Sequence, residues 1–277
     1  MLSQLPRRLL ALTHAALLAA ALGPLALRAA EIPAPARRAT LFIIGDSTVK
    51  NGTRGQRGWG EVIAPFFDTN RLRIANHAIG GRSSRTFLTE GRWAKVASEL
   101  QPGDFVLMQF GHNDGGALND TSRARGTIKG TGEETRDIDN LLTKKPETVH
   151  TYGWYLRQFI RETMAQGAAP IVLSPVPRKI WKDGHVARSK DYGAWAAEVA
   201  TAEKAAFVNL NEIVARRYEA LGTNKVDALF GDEHTHTNAD GAALNAEAVI
   251  SGIKALRPCR LCDYLATPAE TVKPFQP

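Results

Sequence analysis

Cysteine is scarce in this chain of 277 residues, which contains only Cys259 and Cys262, three positions apart near the C-terminus. Two cysteines cannot supply a four-cysteine zinc site. They also lack the strand-to-helix setting of a catalytic redox motif, since a helical pattern precedes them and a proline-rich tail follows. In an oxidising compartment such a pair closes a small local disulfide. We therefore predict a structural disulfide here and no cysteine chemistry.

A strong excess of one charge is also missing. The formal net charge is +7, from 35 basic and 28 acidic residues. Three arginines lie within residues 1–30, which contain no acid, so the remainder has 32 basic against 28 acidic residues, a net charge of +4. The two signs are interspersed, and nothing favours nucleic acid as a partner. With 44% hydrophobic and 23% charged residues, the composition is that of a globular protein and excludes collagen-like, coiled-coil and largely disordered chains.

Long hydrophobic runs are absent after residue 30. The single such run, 9–27, follows an arginine pair, contains a Gly-Pro break near its end and precedes two small residues. This pattern predicts a secretory signal peptide over residues 1–30. A membrane anchor is the alternative, although the run is barely long enough to span a bilayer. We expect an exported protein, periplasmic or extracellular, that does not associate with the membrane after the signal is removed.

Apolar runs and helical patterns alternate along the rest of the chain. The runs predict strands at 40–46, 72–78, 104–111, 170–176 and 206–210, and the patterns between and after them predict helices at 59–67, 91–100, 152–166, 190–204, 212–221 and 238–256. This alternation indicates an α/β fold, in which helices cover both faces of a parallel sheet. No change in composition divides residues 37–277, so we predict one domain.

One segment, 115–150, interrupts this alternation of strands and helices, because it is polar and has no strong hydrophobic period. An insertion of this length is unusual in a compact domain unless it serves a site. It directly follows the third predicted strand, where ligand sites of α/β proteins form. The insertion and two tryptophans, Trp59 and Trp154, are candidates for sugar contacts, although core packing is the commoner role of tryptophan.

Ser47 is the candidate nucleophile, because it follows the first predicted strand in the segment Gly45-Asp46-Ser47-Thr48. A serine at the carboxyl end of a parallel strand lies at the crevice where such sheets bind ligands. The alternative is a simple turn, since Gly, Asp and Ser are common turn residues.

His236 is the candidate general base, because acidic residues precede it closely in the segment 232–238. A carboxylate can hold an imidazole in the orientation that accepts a proton from serine. The segment could also serve as a helix N-cap, which is compatible with catalysis. Metal binding through His234 and His236 is a third possibility, but no further ligand is visible, and we expect no metal.

Two more strand ends offer hydrogen-bond donors. Gly81 follows the second predicted strand and Asn113 follows the third. Acyl transfer requires donors directed at the developing oxyanion, and a glycine amide and an asparagine side chain are suitable donors. Each motif alone could be only a loop or a polar turn.

Together, these four segments resemble the GDSL-like, or SGNH, hydrolase superfamily over nearly all of residues 37–277. Within it, the branch of rhamnogalacturonan acetylesterases is the most similar, on account of Thr48 after the serine and of segments 81–85, 110–114 and 234–237. The resemblance implies a three-layer, flavodoxin-like fold with a five-stranded parallel sheet in the order 2-1-3-4-5.

The resemblance also implies residue roles: Ser47 as nucleophile, His236 as base, and an oxyanion hole formed by the N–H groups of Ser47 and Gly81 and the side chain of Asn113. The family has an aspartate three residues before the histidine, where this chain has Glu233. Spacing therefore favours Glu233 as the orienting acid, with Asp232 as the rival. The implied activity is removal of O-acetyl groups from a polysaccharide, pectin-type rhamnogalacturonan first, without metal or cofactor. The alternatives are a lipid-directed esterase or lysophospholipase of the same superfamily and a non-catalytic glycan-binding protein.

Overall fold

Nine strands are present in the computed structural model, which describes residues 37–277 and, of Lys190, the backbone only. They are β1 (Ala39–Gly45), β2 (Leu72–Asn76), β3 (Phe105–Gln109), β4 (Thr135–Asn140), β5 (Lys145–His150), β6 (Ala169–Leu173), β7 (Trp181–Lys182), β8 (His185–Val186) and β9 (Ala206–Val208). The predicted signal peptide lies outside the described residues.

Five of these strands form one parallel sheet in the order β2-β1-β3-β6-β9. Counted along the chain, these are the second, first, third, fourth and fifth strands of the sheet, which confirms the predicted order. The remaining strands form two antiparallel hairpins, β4–β5 and β7–β8.

Seven α-helices surround the sheet in the described part of the chain: α1 (Ser84–Thr89), α2 (Arg92–Glu99), α3 (Tyr152–Ala165), α4 (Lys190–Ala202), α5 (Leu210–Leu221), α6 (Thr223–Asp227) and α7 (Ala239–Ala255). Among them, none combines the length and the apolar character needed to cross a membrane.

Side chains of β1 alternate between two hydrophobic cores, one on each face of the sheet. Leu41 and Ile43 pack in the core formed with α5 and α7, whereas Phe42 and Ile44 pack in the core formed with α2, α3 and α4. Because successive side chains of a strand point to opposite faces, a strand buried on both sides must be apolar throughout. This produces the three predicted layers.

The predicted helix at 59–67 is wrong. The chain instead forms two short 3₁₀ turns, Trp59–Glu61 and Ala64–Phe66. Pro65 lies in the second turn; it has no N–H to donate, and its ring clashes with the preceding helical turn, so a continuous α-helix cannot form.

The polar insertion 115–150 contains the hairpin β4–β5, which no hydrophobic pattern predicts because most of β4 is exposed. Arg85, fully buried on α1, fastens this hairpin to the domain. Its guanidinium forms two hydrogen bonds with the Glu147 carboxylate, of 2.7 and 2.8 Å, and donates to the carbonyls of Leu118 and Gly126. The insertion is therefore attached to the helix that follows Gly81.

Near the C-terminus, Cys259 and Cys262 form a disulfide, as predicted from their spacing. The second cysteine lies in a short 3₁₀ helix, Arg260–Tyr264, shortly after α7 ends.

Candidate active site

Ser47 lies two residues beyond the end of β1, at the carboxyl edge of the sheet. The carbonyl of Asp46 accepts hydrogen bonds from the amides of Val49 and Lys50, both of 3.1 Å, and this closes a tight turn around the serine. Gly45 makes the approach possible, because a Cβ atom there would lie 2.6 Å from the carbonyl oxygen of Gln109. Glycine is thus required where β1 enters the turn.

His236 lies beside Ser47 although 189 residues separate them in the chain. A hydrogen bond of 2.8 Å joins Ser47 Oγ to His236 Nε2, and one of 2.5 Å joins His236 Nδ1 to Asp232 Oδ2. Since an ionised carboxylate only accepts, Nδ1 carries the proton and Nε2 accepts the hydrogen bond from the serine hydroxyl. This is the arrangement in which histidine can remove the serine proton.

Asp232 is held by the loop that carries the histidine. Its Oδ1 accepts hydrogen bonds from the amides of His234, Thr235 and His236, of 3.1, 2.8 and 2.9 Å. Partial burial alone would raise the pKa of Asp232, but the amides of His236 and Thr235 and the His236 imidazole outweigh it, and the pKa lies below its ordinary value. The carboxylate is therefore ionised at neutral pH.

The preference for Glu233 as the orienting acid is thereby corrected. The loop wraps around the Asp232 carboxylate, so that the acid four residues before the histidine reaches Nδ1. Glu233 is exposed, and within residues 37–277 no hydrogen bond joins its side chain to His236. Spacing along the chain does not reveal this, because it depends on which backbone amides the loop turns inward.

His234 is a neighbour of the site and does not contact the serine. Its Nδ1 lies 2.6 Å from the hydroxyl of Thr235. In the described part of the chain, no three His, Cys, Asp or Glu side chains are grouped as a metal ion would require.

The predicted oxyanion donors line one cavity of about 720 Å³ together with Ser47 and His236. Gly81 has a φ of +80°, a conformation that favours glycine, and places its amide in the turn after β2. Asn113 donates one Nδ2 hydrogen to the Arg82 carbonyl at 2.8 Å, which fixes the amide and leaves its second N–H for a ligand. Among the described residues, the amides of Ser47 and Gly81 have no hydrogen-bond acceptor.

A buried pair connects the serine turn to the Asn113 loop. Asp46 is fully buried; its Oδ2 lies 3.3 Å from His112 Nδ1, and His112 Nε2 donates to the Val176 carbonyl at 2.9 Å. Burial alone would raise the pKa of Asp46, but the His112 and Thr48 interactions outweigh it and lower the pKa. Residues adjacent to the candidate nucleophile, Ser47, and to the predicted oxyanion donor, Asn113, are thus fixed to each other.

Asp114 attaches the same loop to α1. The carboxylate is fully buried and accepts hydrogen bonds from Ser84, from the amide at 3.0 Å and from the hydroxyl at 2.5 Å. Burial has the largest influence on this group and raises its pKa, whereas the hydrogen bonds from Ser84 lower it. Burial prevails, and the pKa of Asp114 is raised to about 7.

The two tryptophans lie outside the cavity. Trp59 is fully buried and donates to the side-chain oxygen of Gln109 at 2.9 Å, and Trp154 stacks on His150 with 3.7 Å between ring centroids. The insertion does contribute to the cavity, through residues that include Arg123 and Arg125. Sequence reasoning missed these arginines, because isolated charges in an irregular polar segment carry no periodic signal.

Comparison with known proteins agrees with this geometry. The family model of the GDSL-like lipase/acylhydrolase family matches residues 43–244. A rhamnogalacturonan acetylesterase of Emericella nidulans is 36% identical over 217 residues, which are 77% of this chain and 84% of that protein. The Bacillus subtilis protein named probable rhamnogalacturonan acetylesterase YesY is 29% identical over 224 residues, which are 78% of this chain and 93% of that protein.

Among solved structures, a catalytic mutant of Axe2, an acetylxylan esterase from Geobacillus stearothermophilus, has the same fold. It superposes with a TM-score of 0.54 at 18% identity, and the match covers 76% of this chain and 92% of the esterase. Fold, motif positions and family match coincide, and the chain belongs to the GDSL-like lipase/acylhydrolase family.

Proposed function

We propose that this protein is a serine esterase that removes O-acetyl groups from a polysaccharide, with acetylated pectin-type rhamnogalacturonan as its expected substrate. The observation that carries this proposal is the continuous hydrogen-bonded chain from Ser47 through His236 to Asp232 at an open cavity. The relatives named rhamnogalacturonan acetylesterases support an acetylated carbohydrate as substrate.

In the first half of the reaction, Ser47 Oγ attacks the acetyl carbonyl carbon while His236 Nε2 takes the hydroxyl proton. Negative charge develops on the carbonyl oxygen, and the amides of Ser47 and Gly81 and the Asn113 side chain donate to it. The ester C–O bond then breaks, the sugar oxygen takes the proton from the imidazolium, and an acetyl-serine remains.

In the second half, water attacks the acetyl-serine and gives a proton to His236. The second tetrahedral intermediate expels Ser47 Oγ, which recovers the proton, and acetate leaves. Asp232 stays ionised throughout and stabilises the imidazolium at both stages.

The lining of the cavity favours a carbohydrate over a lipid. Among the described residues that line it, Leu142 is the single large hydrocarbon side chain, and the others include asparagine, glutamine, serine, threonine and arginine. A fatty acyl chain requires a continuous apolar surface. The complete set of catalytic groups also makes a purely glycan-binding role the weaker alternative.

Release of acetate tests the proposal. Purified protein is incubated with p-nitrophenyl acetate, acetylated rhamnogalacturonan, acetylxylan and lysophospholipid, with the Ser47→Ala variant as matched control. We expect acetate release from an acetylated polysaccharide by the wild type only. Fatty acid release from lysophospholipid without acetate release would favour the lipid-directed alternative, and equal inactivity of wild type and variant would favour a binding protein.

We also propose export, which the pattern of residues 1–30 supports. Expression of the full chain, fractionation of the cells and N-terminal sequencing of the product test it. A product that keeps its N-terminus in the cytoplasmic fraction would contradict export.

A further inference from the structure

A chain of buried hydrogen bonds anchors the serine turn from within the domain. It begins at the indole of Trp59, which donates to Gln109 Oε1 at 2.9 Å, and continues from Gln109 Nε2 to the Thr48 hydroxyl at 2.5 Å. That hydroxyl lies 2.8 Å from Asp46 Oδ1, and Asp46 Oδ2 faces His112 Nδ1 at 3.3 Å. Trp59, Gln109 and Asp46 are fully buried, and only 7% of the His112 side chain is exposed. Because these groups are shielded from solvent, each must satisfy its hydrogen bonds within the chain.

The direction of these hydrogen bonds is fixed at the indole end. An indole N–H can only donate, so Gln109 presents its oxygen to Trp59 and its amide hydrogens to Thr48. The Thr48 hydroxyl accepts from that amide and gives its own hydrogen to Asp46 Oδ1, which also accepts from the Thr48 amide at 2.9 Å. The pKa of Asp46 lies below its ordinary value, so this carboxylate is ionised and both its oxygens only accept. His112 Nδ1 therefore donates to it.

The other nitrogen of His112 also faces an acceptor. Its Nε2 lies 2.9 Å from the carbonyl oxygen of Val176, and a carbonyl cannot donate. An imidazole whose two nitrogens both donate carries two protons and one positive charge. His236 differs, because its Nε2 accepts from Ser47 and only its Nδ1 holds a proton. The site thus contains a neutral ring that takes part in proton transfer and a charged ring that does not.

The charged ring and its carboxylate connect the ends of three strands. Asp46 directly precedes Ser47 in the turn after β1. His112 directly precedes Asn113 in the loop after β3 and donates to Val176 in the segment after β6. Two predicted oxyanion donors, the Ser47 amide and the Asn113 side chain, are therefore held by neighbours of opposite charge. A buried carboxylate without a cation would leave negative charge next to the Ser47 amide, where the oxyanion develops, and the imidazolium neutralises it.

We infer that Asp46 and His112 form a buried carboxylate–imidazolium pair and act as positioning residues, which hold the Ser47 amide and the Asn113 side chain at the separation that an oxyanion requires. The consequence for turnover rests on the proposed esterase function, whereas the charge of the ring follows from the hydrogen bonds alone. Neither residue exchanges a proton with the substrate. Their loss therefore weakens binding of the transition state and leaves substrate binding largely intact.

Nuclear magnetic resonance of protein labelled with ¹⁵N in its histidine rings tests the charge directly. The chemical shifts of the ring nitrogens, read through the carbon-bound ring hydrogens, show which nitrogens are protonated. At neutral pH we expect protons on both nitrogens of His112 and on Nδ1 alone of His236. In Asp46→Asn, the amide nitrogen can donate to His112 Nδ1, so the ring should keep its place and lose the Nδ1 proton. This change also assigns the His112 signals, as does their loss in His112→Gln.

Kinetics of three variants separate the charge of the pair from its shape. His112→Gln leaves the buried carboxylate without its cation and should lower kcat on p-nitrophenyl acetate by about 10- to 100-fold, with KM changed less than about twofold. Asp46→Asn should lower kcat by only about 3- to 10-fold, because a neutral hydrogen-bonded chain remains. The double variant should be about threefold or more faster than His112→Gln, because no charge is left buried alone.

His185→Gln is the matched control and should keep wild-type turnover, because His185 is 78% exposed and lies beside a carboxylate, that of Glu219, at 3.4 Å. A wild-type His112 ring with a single proton would overturn the charged pair. An unchanged kcat in His112→Gln, or an equal loss in His185→Gln, would overturn the positioning role. A double variant no faster than His112→Gln would refute the role of the charge in turnover.

If circular dichroism shows that His112→Gln does not fold, Asp46→Asn still decides the question. An unchanged kcat in that variant, or a His112 ring that keeps both protons in it, would overturn the inference. These outcomes leave the proposed function standing. Failure of the proposed function is recognised separately, by p-nitrophenyl acetate turnover that is absent or unchanged in Ser47→Ala.

Discussion

Replacement of Asp232 by asparagine should reduce kcat by about 10³- to 10⁴-fold, while Glu233→Gln should change it less than about twofold. The side-chain oxygen of asparagine can still accept from the amides of His234, Thr235 and His236, so the loop keeps its shape. Its nitrogen, however, faces His236 Nδ1 where the carboxylate oxygen lay at 2.5 Å.

The magnitude follows from the imidazole tautomer. Two N–H groups cannot face each other, so the ring in Asp232→Asn carries its proton on Nε2, and that nitrogen no longer accepts from Ser47. The neutral amide also cannot stabilise the imidazolium formed during attack. A loss of 10³- to 10⁴-fold corresponds to about 4–5.5 kcal/mol in the activation free energy.

The assay is kcat on p-nitrophenyl acetate at neutral pH for both variants, with circular dichroism to show that each is folded. Glu233→Gln is the matched control, because it makes the same change of carboxylate to amide one residue away on an exposed side chain. A larger loss in Glu233→Gln would refute the reasoning. Small, equal losses in both variants would show that Ser47 and His236 work as a dyad.

Four further outcomes are expected. The Ser47→Ala variant should lose nearly all esterase turnover, while its circular dichroism spectrum shows that it is folded. Activity near the wild-type level would show that Ser47 is not the nucleophile. Asn113→Ala should lower kcat by about 10²- to 10³-fold, the usual effect of losing one oxyanion donor, and an unchanged kcat would limit its loop to a structural role. Because the pKa of Asp114 is raised to about 7, the folded protein keeps a proton that the unfolded chain releases above about pH 4. The free energy of unfolding should therefore fall as the pH rises from about 4 to 7, and Asp114→Asn should flatten this dependence in urea titrations; an equal slope in the variant would contradict the assignment. Glu147→Gln leaves the buried Arg85 guanidinium without its counter-charge and should lower the free energy of unfolding by about 3 kcal/mol, whereas an unchanged urea midpoint would show that the pair does not hold the hairpin.

The sheet could be predicted because its strands are visible in the sequence as runs of apolar residues. Strands such as β1 and β3 are covered on both faces, so nearly every position is apolar and the apolar runs are distinct from the helical patterns. The hairpin β4–β5 could not be predicted, because most of its residues are polar and exposed and its attachment to the domain depends on contacts with distant residues, such as that of Glu147 with Arg85.

Of the candidate site, too, the sequence predicts some residues and not others. Ser47 and His236 could be proposed from their places at strand and helix ends, where topology brings distant segments to one edge. The partner acid could not, because Asp232 is selected by the three amides that its loop turns inward. Arg123 and Arg125 were missed, because isolated charges in an irregular segment give no sign in the sequence that they line the cavity.

The pairing of Arg85 with Glu147 has a consequence for engineering this scaffold. A graft that replaces segment 115–150 removes the carboxylate and also the carbonyls of Leu118 and Gly126, and so strips a solvent-inaccessible guanidinium of all its partners. We therefore expect the protein to fold with a transplanted loop only in two cases: when the loop places a carboxylate where Glu147 lies, or when Arg85 is replaced by an apolar residue at the same time. Changes in the turn at the hairpin tip, 141–144, leave this attachment in place, whereas the attachment itself constrains which loops the domain tolerates.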